Sequence, residues 1–77
     1  MNTIDNLSDF IADLISQSQR DRGQYANGTI PAAQGPEVTR ILRDDYGQRY
    51  LPIDYSPNGW IIRTHNFSWN LRILCRK

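Results

Sequence analysis

Apolar residues at the start of the chain recur with a helical period. Ile4, Leu7, Phe10, Ile11, Leu14 and Ile15 follow three- and four-residue spacing and share one face, while Asp5, Ser8, Asp9, Asp13 and Ser16 fall elsewhere. This spacing predicts an amphipathic helix over 4–20. Thr3 or Asn6 can cap its first turn, and the early aspartates suit the positive end of the helix dipole. Arg20 and Arg22 suit the negative end, and Gly23 can take the left-handed stop. Residues 23–36 lose the period. Asn27-Gly28 is a turn dipeptide, and Pro31 and Pro36 break regular structure, so the stretch reads as a loop. A helical stripe returns at Val38, Ile41, Leu42 and Tyr46, with Pro36 suited to the first helical position and Gly47 to the stop, which predicts a second helix over 37–46.

From Gln48 the period falls to two. Leu51, Ile53 and Tyr55 alternate with Tyr50, Pro52 and Asp54. Trp60, Ile62 and Thr64 alternate with Ile61, Arg63 and His65. Trp69, Leu71, Ile73 and Cys75 alternate with Asn70, Arg72, Leu74 and Arg76. Asn58-Gly59 is a hairpin turn signal, and His65–Ser68 is a second turn region without glycine. Pro52 cannot donate to a ladder and places the first strand at an edge. Residues 48–77 therefore read as a three-stranded antiparallel β-meander. The expected fold is α+β, a single domain over 1–77 with two helices packed on one face of that meander. On this alternation Trp60, Ile62, Leu71 and Ile73 face the helices, and Arg63, His65 and Arg72 face away.

The chain has 77 residues, enough for one domain with a thin stability margin. Its single cysteine, Cys75, excludes an intrachain disulfide, and small secreted domains usually need several. The N-terminus carries acids where a signal peptide carries positive charge, and no apolar run is long enough to span a membrane. These features lead us to expect a soluble, cytoplasmic protein. A net charge of +1 provides no bulk attraction for nucleic acid, yet residues 60–77 hold Arg63, Arg72, Arg76 and Lys77 with no acid.

Chemistry is sparse. One His and one Cys cannot build a four-ligand zinc site, and no loop carries the alternating acids of a calcium site. His65 lacks a partner serine in any recognisable motif, and the glycines are too scattered for a phosphate loop. Cys75 reads as a small apolar residue on the inward face of the last strand, although flanking cations would activate it if exposed. Asp44 and Asp45 sit at the unfavourable end of the second helix, where Arg40 or Arg43 can balance them. No catalytic residue, metal or cofactor is expected.

What remains is the aromatic, basic C-terminal half. Arg63, His65, Phe67, Trp69 and Arg72 form the expected partner-binding set, because Trp, Tyr and Arg dominate protein interfaces. Interleaved aromatics and cations also suit nucleic acid. Separately, the run Leu51-Pro52-Ile53-Asp54-Tyr55-Ser56-Pro57, followed by two strands, resembles the potato-inhibitor-like serine protease inhibitors. That resemblance implies a loop over Leu51–Tyr55, with Ile53 entering the protease pocket and Asp54 after the scissile bond. It departs from the family at Pro52, where a hydroxyl residue is expected, and at Ser56, Asn58 and Gly59, near which the family has bracing arginines. The leading expectation is a non-enzymatic module that binds a protein with an acidic, partly apolar surface. It would act as a regulator or inhibitor of the kind carried by phage or mobile elements. Nucleic-acid binding through the basic meander and protease inhibition are the alternatives.

Overall fold

The computed structural model describes residues 3–48 and 53–77, with the side chains of Ile53, Asp54 and Ser56 outside that description. Helix α1 spans Leu7–Arg20. It starts three residues later than the apolar pattern predicts because Asn6, not Thr3, is the cap: its side chain accepts from the Asp9 N–H at 3.1 Å. Ile4 instead lies in an extended lead-in held by Gln34. The Gln34 Oε1 accepts from the Ile4 N–H at 2.9 Å, and its Nε2 donates to the Ile4 carbonyl at 2.8 Å. At the other end the Gly23 N–H bonds to the Ser18 carbonyl and the Arg22 N–H to that of Gln19. This is the paired C-terminal closure of a Schellman motif. Arg22 takes the first left-handed position (φ 60°), ahead of Gly23.

The stretch 23–36 is not a loop. Tyr25–Pro31 is strand β1, followed by a short 3-10 turn at Ala32–Gln34. Helix α2, Gly35–Tyr46, ends on left-handed Gly47 as the sequence predicts. Strands β2 (Ile53–Ser56), β3 (Gly59–His65) and β4 (Asn70–Arg76) then pair antiparallel in succession. β1 adds to β4 in parallel, so the sheet has four strands in the order β1-β4-β3-β2 and is mixed, not a pure antiparallel meander. The α+β class stands, with the strand at 25–31 as the correction.

Asn27-Gly28, read as a turn, lies in the middle of β1. Gly28 is needed there for close approach: a Cβ would meet the Phe10 ring at 2.7 Å and Leu14 at 2.9 Å. The glycine lets α1 settle directly onto the sheet. Gly35 does the same for α2, where a Cβ would meet Trp60 at 2.7 Å and the Cys75 sulfur at 3.1 Å. Both helices thus lie on one face. Across that face the register aligns Ala26 with Leu71 and Thr64, Gly28 with Ile73 and Ile62, and Ile30 with Cys75 and Trp60. Together with Ile11, Leu14, Val38 and Leu42 these residues form the core.

The β3–β4 turn manages without glycine. The Asn66 Oδ1 accepts from the backbone N–H groups of Ser68 (2.8 Å) and Trp69 (2.7 Å), an Asx turn. Buried Ser18 joins α1 to the sheet, donating to the Gln24 carbonyl at 2.7 Å and accepting from the Asn70 N–H at 2.8 Å.

Candidate binding surface on the uncovered sheet face

The register that fills one face of the sheet with core residues decides what stands on the other. Ile61 pairs with Leu74, Arg63 with Arg72, and His65 with Asn70. On the far side of β4, Tyr25 pairs with Asn70 and Asn27 with Arg72. No helix crosses these positions; α1 and α2 are both committed to the opposite side. Ile61 and Leu74 therefore form a half-buried aliphatic centre beside two arginines held directly opposite one another. Like charges in that relation work against sheet stability. Arg72 leans towards β1, with its guanidinium carbon 4.8 Å from the centre of the Tyr25 ring. Tyr25 in turn stacks against His65, ring centres 6.0 Å apart, and its hydroxyl lies 3.1 Å from His65 Nδ1. A cation over an aromatic face at this range is attractive even when exposed.

The five residues singled out from sequence divide. Arg63, His65 and Arg72 share the uncovered face. Phe67 is wholly exposed at the β3–β4 turn that bounds it. Trp69 does not belong to the surface: it is buried, with its ring edge-on to Tyr46 at 5.9 Å, because strand β4 turns it under α2 and not outwards. Tyr25 was hidden from the sequence reading because its segment read as a loop. Ile61 and Leu74 carry a signal in the sequence, since both fall in phase with the cations of their strands.

Other candidates resolve without chemistry. Cys75 is fully buried, and burial pushes its thiol up to about 11, so it is no thiolate at neutral pH. Arg40 is paired with Glu37 and with Asp44, and Arg43 bonds Asp44 at 3.0 Å. The hydrogen bond from Arg40 holds the Glu37 carboxyl below its usual range, and that from Arg43 does so for Asp44. These arginines border a groove of about 560 Å³ whose floor includes Thr39, Tyr55 and Trp60, but their charges are already balanced within α2. Among the described residues no three His, Cys, Asp or Glu side chains converge on a metal position, and no helix is long and apolar enough to cross a membrane. Leu51 and Pro52 of the inhibitor-like loop lie outside the described residues. Ile53–Ser56 form strand β2, in register Ile53 with Ile62 and Tyr55 with Trp60.

The chain matches no family model, no curated protein and no solved structure.

Proposed function

We propose that this is a non-enzymatic binding module whose working surface is the uncovered face of the sheet, and that its partner is a protein with an acidic, partly apolar patch. One observation carries the reading: an aliphatic centre, Ile61 and Leu74, lies beside Arg63 and Arg72 on a face that, among the described residues, neither helix covers. Apolar centre and polar rim are the ordinary anatomy of a protein interface. Acids on the partner would steer the approach to this face. Phe67 extends the surface with an exposed aromatic anchor. A role as regulator or inhibitor of a larger partner, of the type phage and mobile elements use, fits the small size and sparse chemistry. A cytoplasmic setting fits the lone thiol.

Single-stranded nucleic acid is the second reading, favoured by the Tyr25–His65 stack with Arg72 beside it. It ranks lower because that tyrosine ring already has two neighbours and the net charge is only +1. Fluorescence anisotropy with a labelled oligonucleotide separates the two. Phosphate-driven binding weakens steeply with salt. The protein reading predicts no binding at physiological salt, and capture of a partner from nuclease-treated lysate of the source cell. Micromolar or tighter oligonucleotide binding at that salt, with capture lost on nuclease treatment, would replace it with the nucleic-acid reading.

A further inference from the structure

The two edges of the sheet are built differently. At one edge, β2 has four residues, carries Asp54, and lies between Pro52 and Pro57. A short strand with a charge and flanking prolines is how proteins keep an edge from pairing. At the other edge, β1 has seven residues, Tyr-Ala-Asn-Gly-Thr-Ile-Pro, with no charge and a proline only at its last position. That is an edge about 23 Å long at the usual rise per residue. Among the described residues, no backbone or side-chain hydrogen bond reaches the β1 main chain from anywhere but β4.

We propose that β1 pairs with β1 of a second copy of this chain, antiparallel about a two-fold axis, to give a continuous eight-stranded sheet. The composition of the strand selects this occupant. A charged strand would set like charge against like when it met its own copy; β1 has none to oppose. With the axis at Gly28, the central residue, Asn27 meets Thr29 of the second copy and Ala26 meets Ile30. This matches polar with polar on one face and apolar with apolar on the other. Such an isologous contact uses the open edge once, and the guarded β2 edges at both ends stop further growth, so the assembly closes at two. The edge borders the uncovered face, which Tyr25, Asn27 and Thr29 share, but the pairing runs through the β1 main chain and the inference does not rest on that reading.

Sedimentation equilibrium tests it, over roughly 10–500 µM because a contact this small dissociates in that range. The chain should move from 8.9 kDa towards twice that mass as concentration rises. Asn27→Glu with Thr29→Glu places acids at two exposed edge positions, opposite Arg72 and Leu74 within the chain and opposite each other across the proposed contact. This variant should melt as the wild-type monomer does and stay monomeric throughout, a loss of at least tenfold in self-affinity. A wild type that remains monomeric at the top of the range overturns the proposal. So does a folded glutamate variant that dimerises as the wild type does.

Discussion

The two faces of one sheet have opposite compositions, although the strands that make them are the same. On the covered face Ala26, Ile30, Ile62, Thr64, Leu71, Ile73 and Cys75 are all buried. On the uncovered face stand Tyr25, Ile61, Arg63, His65, Arg72, Leu74 and Arg76, with Arg63 directly opposite Arg72. A domain this small has little stability to give away. The difference shows which face the fold depends on.

Neighbouring isoleucines provide the sharpest way to break that comparison. Ile62 is fully buried between β4 and the helices, and Ile61 beside it faces outwards. Ile62→Ala should cost about 2–5 kcal/mol, enough to unfold much of the population, whereas Ile61→Ala should cost under about 1 kcal/mol. Paired denaturant melts check this, and equal costs would mean that the outward face is also core.

Cys75 gives a smaller and reversible probe of the covered face. Its thiol is held protonated in the fold up to about 11, against 9.0 as the ordinary value. The unfolded chain therefore loses this proton first as the pH rises. Its contribution to stability is full below pH 9 and declines between pH 9 and about 11, by on the order of 2 kcal/mol. Stability measured against pH should lose that part of its slope in Cys75→Ala, and thiol reagents should modify the wild type only as fast as it unfolds.

How far the sequence foretold this follows from where side chains carry the signal. Helix α1, helix α2 and the alternation of β3 and β4 were legible because large apolar residues mark each buried position. β1 was not, because its inward residues are Ala26, Gly28 and Ile30: two are small, and at Gly28 Phe10 and Leu14 occupy the space a side chain would need. A buried strand position that must be glycine looks like a turn when the helix above it is unknown. The same oversight hid Tyr25 from the candidate surface. Trp69 misled in the opposite sense, since an aromatic beside a basic strand reads alike whether it fills a core or faces a partner. Its phase with Leu71, Ile73 and Cys75 and its packing against Tyr46 place it in the core.

The central claim is that the uncovered face serves recognition and contributes little to stability. Its most direct test is one variant read two ways, Arg63→Glu with Arg72→Glu, by thermal melting and by capture of the protein partner from nuclease-treated lysate. Arg72 is exposed and Arg63 half-buried, and surface charges contribute little to folding, so the melting temperature should stay within a few degrees of wild type. Binding should weaken by about 1 kcal/mol or more, roughly fivefold, through slower association with an acidic surface. A double variant that folds and captures the partner as the wild type does would contradict the account and move the binding site off this face.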